Sequence, residues 1–245
     1  MDALLLEPGR LTLDAITAVH RAPLRLALAD EARPAVRARC ALVQRAAQGE
    51  AAIYGVNTGF GKLASTRIGK DQIDALQRNL IRSHSVGVGT PMPPAVVRLM
   101  LALKAASLAR GHSGVREEVI DTLLAVHNAG LVPCVPGQGS VGASGDLAPL
   151  AHMTLALMGE GEMLHGGRRV PAAGQLQRCG IAPLHLQAKE GLALINGTQA
   201  STALALHALL TFEPVLEAAL VAGALTVDAA RGSDGPFDPR IHALR

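Results

Sequence analysis

Aromatic residues and clustered charge are the two features that this sequence has least of. Phenylalanine, tyrosine and tryptophan together make up 2% of the 245 residues, and tryptophan is absent. Proteins that bind nucleic acid by stacking bases need aromatic platforms, so the composition disfavours that class. The net charge is only +3, and Lys and Arg are scattered rather than gathered into runs. We therefore expect no basic nucleic-acid-binding surface.

Cysteine is also scarce. Cys40, Cys134 and Cys179 are odd in number, lie far apart and form no CxxC pair. A disulfide framework or a zinc site is therefore not expected. The first residues lack the basic segment and the apolar run of a signal peptide. We predict a reduced, cytoplasmic setting, with no metal and no membrane partner.

Most of the chain has the apolar spacing of helices, and hydrophobic residues make up 49% of it. The predicted helices are Leu13–Leu28 (interrupted at Pro23), Val36–Ala47, Asp71–His84, Pro94–Arg110, Val115–Ala129, Leu147–Met158 and Thr198–Ala230. The Gly166-Gly167 pair predicts one short β-hairpin over Glu162–Val170, as a surface flap. The predicted fold class is mainly α.

The last predicted helix, Thr198–Ala230, is apolar on almost every face and has an expected kink near Pro214. Polar side chains within the stretch from Gly191 to Phe212 favour a buried core helix over a membrane span. Such a helix must be surrounded by others. This chain offers few neighbours for it, so we expect part of its surface to stay bare.

The glycine-rich loop Pro136–Leu150 carries the strongest chemical signal. At its centre Ala143, Ser144 and Gly145 are small enough for the backbone to react with itself. If the chain bends tightly, the Gly145 nitrogen can attack the Ala143 carbonyl carbon and close a five-membered ring with loss of water. Loss of the Ser144 hydroxyl as a second water then leaves a methylidene carbon. The product, 4-methylidene-imidazol-5-one (MIO), is an electrophile that no ordinary side chain supplies.

Two other interpretations of the same loop compete with this chemistry. Gly137, Gly139 and Gly142 spell a G-x-G-x-x-G pattern, as in dinucleotide-binding loops. That fingerprint needs a buried strand before it, but Pro133 and Pro136 interrupt the preceding segment. A plain glycine-rich connection without chemistry is the other interpretation, because glycine clusters usually mark turns.

Three further segments accompany the loop: Ile53–Gly61, Asn79–Gly89 and Gly191–Gln199. Together with Gly142–Leu150 they resemble the motifs of the aromatic amino acid ammonia-lyase family, in the order in which that family carries them. The resemblance runs from near Leu11 to the last residue. Four motifs in order are specific, whereas any one of them alone would not be.

The resemblance implies roles for individual residues. Tyr54 would be the base that removes the substrate's β-proton, and His84 would contact the substrate side chain. Asn196 would point its amide at the MIO ring, and Asp146 would assist ring closure. Without the resemblance, each residue also has an ordinary structural interpretation. Tyr54 and His84 could be packed in the core, Asn196 could form a turn, and Asp146 could be the N-cap of the following helix. The supporting residues implied by the resemblance are Asn57, Gly59, Phe60 and Gly142.

The resemblance also implies an activity. The Ser83-His84 pair favours a member of the family that converts L-histidine to urocanate and ammonia. A phenylalanine or tyrosine lyase, or an aminomutase, stays open. The implied prosthetic group is the MIO formed from Ala143, Ser144 and Gly145, without a metal or a nucleotide. The resemblance further implies a homotetramer whose subunits share active sites.

The chain resembles the N-terminal half of such an enzyme, with a fumarase/aspartase-like helical-bundle fold. We expect residues 1–195 to form the MIO-bearing domain and residues 196–245 to begin the central bundle of long helices. On its own the chain is predicted to be inactive or nearly so. A non-catalytic scaffold that never closes the ring is the alternative from a different class.

Overall fold

The computed structural model describes residues 3–243, and helices dominate them. The helices are α1 Leu13–Arg21, α2 Arg33–Gln48, α3 Ile73–His84, α4 Pro94–Ala109, α5 Glu117–Asn128, α6 Leu147–Leu157, α7 Ala172–Arg178, α8 Glu190–Ile195, α9 Gln199–Ala229 and α10 Pro239–His242. The strands are β1 Leu4–Leu6, β2 Leu26–Leu28, β3 Val88–Pro91, β4 Val132–Pro133, β5 Pro136–Gln138, β6 Glu162–His165 and β7 Arg168–Pro171. The prediction of a mainly α fold is confirmed.

The core is built from α4 and α6, whose side chains are buried on nearly every face, and from α5, which keeps Glu118, Asp121 and Asn128 exposed along one side. Helix α4 begins at a proline, which lacks only an N–H that would be unpaired there anyway. It ends before Gly111, whose φ of +77° suits glycine and stops the helix. These helices hold the glycine-rich loop between β5 and α6 on a rigid base.

The predicted helix over Leu13–Leu28 is wrong in its second half. Helix α1 ends at Arg21, and Leu26–Leu28 form β2, which pairs in parallel with β1. The side chain of Asn128 fixes this strand, because it accepts the N–H of Leu26 and donates to its carbonyl oxygen, both at 2.8 Å. Pro23 breaks the helix, and a partner far along the chain then selects a strand.

The predicted hairpin is present as β6 and β7, joined at Gly166 and Gly167 with φ of +55° and +76°. It is not a surface flap, however. Strand β6 also pairs with β4, which makes a three-stranded sheet, and the Met163 side chain is fully buried. The hairpin is therefore anchored in the core.

Helix α9 is the exception to this burial. The helix is continuous through Pro214, and most of its large apolar side chains beyond Ala203 lie exposed, with Leu220 66% and Leu225 63% accessible. The expectation of a bare surface is confirmed, whereas the expectation of burial is not met within residues 3–243. By length and composition alone, the stretch Glu190–Ala229 is also apolar enough to cross a membrane.

The chain divides into two compact units, the first ending at Leu204 and the second beginning at Ala205. All of the motif residues lie in the first unit. The second contains the C-terminal part of α9 and the short helix α10. A domain boundary between residues 195 and 196 stays a prediction.

Candidate active site

The tripeptide Ala143–Gly145 forms a bend between β5 and α6, and Ala143 and Ser144 are exposed on it. Gly142 and Gly145 have φ of +62° and +105°, a backbone region that side chains disfavour. A β-carbon on Gly145 would lie 2.5 Å from the carbonyl oxygen of Gly197 and 2.8 Å from its nitrogen. Only glycine fits this cradle. The small residues and the tight bend fit the MIO ring that the sequence predicts.

The buried Asp146 anchors the glycine-rich loop through hydrogen bonds. Its side chain is 1% exposed, and its carboxylate accepts hydrogen bonds from the Ser140 hydroxyl at 2.6 Å and from the Ser201 N–H at 2.7 Å. The Ser201 hydroxyl donates a further bond at 2.8 Å, and the Asp146 N–H donates to the Gly197 carbonyl, also at 2.8 Å. The loop is thereby joined to the first turn of α9.

The expected N-cap role of Asp146 is corrected by these contacts. Asp146 stands at the N-cap position of α6, but its side chain makes no capping hydrogen bond to that helix. It instead accepts an N–H near the start of α9, where the helix dipole favours a carboxylate. Burial raises the pKa of Asp146, but the hydrogen bonds from Ser140 and Ser201 outweigh it and leave the pKa below its ordinary 3.8.

We expect Asp146→Asn to lower the free energy of unfolding at neutral pH by about 1–3 kcal/mol, the usual value of hydrogen bonds to a buried charge. Because the folded-state pKa is depressed, the carboxylate's contribution is complete above the unfolded value and is lost as pH falls through the folded value. The difference between wild type and variant should therefore shrink on acidification. Denaturant unfolding at several pH values measures it.

The matched control for this prediction is Asp74→Asn, since Asp74 is exposed in the first turn of α3. It should change stability by less than about 0.5 kcal/mol, as surface substitutions usually do. Equal losses in the two variants would contradict a special role for the Asp146 carboxylate.

Tyr54 lies on a surface loop whose backbone is held by Asn57. The Asn57 side chain is fully buried, accepts the Ile53 N–H at 2.7 Å and donates to the Ala51 carbonyl at 3.0 Å. Tyr54 itself is 56% exposed, and its ring meets the edge of Phe60 with centroids 5.9 Å apart. The Tyr54 side chain is therefore accessible to solvent, while hydrogen bonds of Asn57 hold the backbone of its loop.

Two glycines determine how closely this loop packs. A β-carbon on Gly59 would lie 2.5 Å from that of Leu63, so the loop closes on itself there. A β-carbon on Gly55, the neighbour of Tyr54, would collide with the Leu192 side chain of α8. Because Asn196 follows the end of α8, the Tyr54 loop and Asn196 are positioned by the same short helix.

His84 is the last residue of α3, and it is half-buried. Its Nδ1 lies 2.9 Å from the Leu80 carbonyl oxygen and 3.1 Å from the Ser83 hydroxyl. A carbonyl can only accept, so Nδ1 is the donor in this contact, and in the neutral ring Nε2 is then the acceptor nitrogen. The histidine acts partly as a helix-end hydrogen-bonder, as its residue type alone suggested, and keeps one nitrogen for another partner.

The segment after His84 is tied to the glycine-rich loop. Strand β3 pairs with β5 through Val88 and Gln138, and the Gly87 N–H donates to Nε2 of His152 at 3.0 Å. Burial lowers the pKa of His152, and Arg169 lowers it further, which suits the neutral acceptor this bond requires. His152 therefore has a structural role, because it connects the segment after His84 to α6, the helix that follows the loop.

Asn196 is exposed at the C-cap of α8, and the following residue, Gly197, forms the cradle of Gly145. The structure thus joins the loop to the Asn196 turn directly, and it links Tyr54 and His84 to them through α8 and α6. The sequence reasoning missed Ser140 and Ser201, which hold Asp146. Within residues 3–243, no group of three or more His, Cys, Asp or Glu side chains is placed to bind a metal ion.

The chain is similar to known proteins over its length. The family model for aromatic amino acid lyases matches residues 11–245. The histidine ammonia-lyase of Aromatoleum aromaticum is 57% identical over 245 residues, which are 100% of this chain and 47% of that protein. The chain spans about half the length of the curated relatives it matches.

Solved structures share the fold. The crystal structure of histidine ammonia-lyase from Trypanosoma cruzi has a TM-score of 0.91 and 38% identity, covering 100% of this chain and 48% of that one. Phenylalanine aminomutase from Pantoea agglomerans has a TM-score of 0.91 and 30% identity, covering 99% of this chain and 47% of that one. The expected fold, the N-terminal part of this helical architecture, is confirmed.

Proposed function

The chain belongs to the aromatic amino acid lyase family, and on that premise we propose that the full-length protein is a histidine ammonia-lyase. It would convert L-histidine to trans-urocanate and ammonia without an oxidant. The observation that carries the proposal is the cradle in which Gly145 lies against Gly197, beside Asn196. The relatives named above support the choice of histidine.

Ala143, Ser144 and Gly145 would hold the MIO group. When formed, this group supplies an electrophilic carbon that makes the substrate's amine a better leaving group. Asp146 serves it by anchoring the loop, because its N–H and carboxylate are both bound to the start of α9 and the turn before it. Asn196 adds an exposed amide at the adjacent turn, whose N–H groups can stabilise negative charge.

Tyr54 is the proposed base for the β-proton of the substrate. Its hydroxyl is at the exposed end of a loop whose backbone is fixed by the buried Asn57. Proton transfer needs a group that can reach the substrate and is held in place. The loop meets both needs, since Gly55 allows it to pack against α8 while Tyr54 stays accessible.

His84 is the proposed contact for the substrate's imidazole ring. Its Nδ1 donates to the Leu80 carbonyl, so the neutral ring would offer Nε2 as an acceptor for an N–H of the substrate's imidazole.

The exposed apolar surface of α9 supports a further proposal, that the full-length protein is a homotetramer in which neighbouring helices cover this surface.

Product analysis tests the proposed reaction. The full-length protein is incubated with histidine, phenylalanine and tyrosine in parallel, and products are identified by mass. Urocanate from histidine supports the proposal. Arylacrylates from phenylalanine or tyrosine would instead indicate another lyase of the family. β-Amino acids from any of the three substrates would indicate an aminomutase, like the Pantoea agglomerans protein.

We expect His84→Leu to lower kcat/KM for histidine by about 10-fold, the value of one lost polar contact of about 1.4 kcal/mol. Turnover of phenylalanine should not fall, because leucine offers a ring an apolar contact. The control is His165→Leu, an exposed position at the end of β6, which should leave both values unchanged. Parallel losses for both substrates in His84→Leu would contradict the selectivity role.

A further inference from the structure

Helix α8 is too short to be stable by itself, and buried side chains from other helices hold both of its ends. At its N-terminus the Gln77 side chain, fully buried on α3, accepts the N–H of Gly191 at 3.0 Å and that of Leu192 at 3.4 Å. These N–H groups have no partner inside the helix. Gln77 therefore fixes one end of α8.

Lys104 holds the other end. It is on α4, its side chain is 1% exposed, and its ammonium donates to the carbonyl oxygens of Ala193 at 3.3 Å and Asn196 at 3.4 Å. The carbonyls in the last turn of a helix lack internal partners and carry the negative end of the helix dipole. A cation beneath them is electrostatically well placed.

Burying this lysine is unfavourable in itself. Burial lowers its pKa from 10.5 to about 7, although the Asp146 carboxylate works in the opposite direction. An apolar side chain would fill the space in the core without that desolvation penalty. What the structure shows against this cost is the pair of hydrogen bonds to the Ala193 and Asn196 carbonyls.

One of those partners belongs to the turn between α8 and α9 that contacts the reactive loop. One carbonyl is that of Asn196, and the next peptide, at Gly197, forms the cradle for Gly145. The Gly197 carbonyl also accepts the Asp146 N–H at 2.8 Å. A shift of this turn would displace the Asn196 amide and loosen the contact with the Ala143–Gly145 bend.

We propose that Lys104 is a positioning residue for deamination, which holds the Asn196–Gly197 turn against the Ala143–Gly145 bend from inside the core. It touches no substrate and acts through the backbone of Asn196. This inference rests on the proposed function for its kinetic consequence, but the hold on the turn can be measured without any substrate.

The test uses three variants of the full-length protein. Lys104→Met removes the charge and the donors at nearly the same length, Lys104→Arg retains both, and Lys70→Met removes an exposed lysine as the control. Hydrogen exchange of peptides spanning Gly191–Ser201 reports the hold on the turn. Steady-state kinetics with histidine and the mass of the peptide Pro136–Leu150 report catalysis and ring formation.

We expect Lys104→Met to lower kcat by about 10²-fold, the effect of a misplacement on the order of 1 Å. KM should move by less than about 3-fold, because the lost interaction is one that orients rather than binds. Hydrogen exchange of the Gly191–Ser201 amides should be faster than in wild type. The MIO ring should still form in those molecules of the variant that fold. Lys104→Arg should recover most of kcat, and Lys70→Met should match wild type.

Unchanged exchange and unchanged kcat in Lys104→Met would overturn the proposal, as would a loss confined to KM. If Lys104→Met does not fold, Lys104→Arg decides: near wild-type kcat and exchange support the proposal, and a folded but impaired arginine variant overturns it. A wild-type protein that releases no urocanate would reject the proposed function separately. The exchange comparison would still decide whether Lys104 holds the turn.

Discussion

Replacing Ser144 with alanine is expected to abolish deamination by the full-length protein. Ser144 is the only residue of the Ala143–Gly145 bend with a hydroxyl that can leave from its β-carbon. Without it the methylidene carbon cannot form, whatever the backbone does. Removing the group that provides covalent catalysis in an enzyme costs roughly 10³- to 10⁶-fold in kcat. The variant should therefore show no measurable turnover of histidine.

The mass of the peptide Pro136–Leu150 separates this chemistry from simple damage to the loop. In wild type we expect a deficit of two waters, one from ring closure and one from loss of the Ser144 hydroxyl. In Ser144→Ala the second water cannot be lost. Ser140→Ala is the matched control in the same loop: it removes one hydrogen bond to Asp146 and should retain the full deficit.

Either of two results would refute the proposed chemistry. Deamination by Ser144→Ala at the wild-type rate would show that the serine is not needed. An unmodified mass for this peptide in an active wild-type protein would show that no ring is formed.

The helices could be predicted from the sequence wherever their start and stop signals are local. Helix α4 shows this, since Pro94 opens it and Gly111 follows its end within one continuous apolar pattern. The hairpin of β6 and β7 was predictable for the same reason, from two adjacent glycines. Its burial was not, because the third strand, β4, comes from a separate part of the chain.

Helix α8 had no such signal. It is six residues long, and the groups that hold its ends come from far away: Gln77 lies 114 positions before Gly191. The role of Asp146 was hidden in the same way, because its partner Ser201 is 55 positions later while the next helix begins one residue away. Local sequence rules predict that the Asp146 side chain caps the adjacent helix α6, whereas in the structure it accepts hydrogen bonds from the start of α9.

The sequence contains a signal that Lys104 is unusual, although it was not used in the predictions. Lys104 stands in the middle of a helix that is apolar on nearly all faces, with Leu101 and Ala105 buried beside it. A charged residue there is either at the surface or paired in the core, because an unpaired buried charge is costly. Which of the two holds depends on the packing of α8, and therefore on the tertiary structure.

The second large effect is expected from Tyr54→Phe. This change removes one hydroxyl and leaves the ring, so the edge contact with Phe60 and the fold of the loop should persist. Loss of a general base typically lowers kcat by 10²- to 10⁴-fold. Because the side chain is 56% exposed, the free energy of unfolding should change by less than about 0.5 kcal/mol. Steady-state kinetics and denaturant unfolding of the full-length protein measure the two quantities.

The peptide mass gives this prediction its sharpest form. Ring formation uses atoms of Ala143, Ser144 and Gly145 only, so Tyr54→Phe should show the complete loss of two waters while turnover is nearly absent. Phe60→Leu is the control for the loop, since it alters the ring contact and keeps the Tyr54 hydroxyl. A Tyr54→Phe variant with wild-type kcat would assign proton removal to another group. A variant that lacks the mass deficit would place the tyrosine in ring formation instead, because the electrophile would then be missing before any substrate binds.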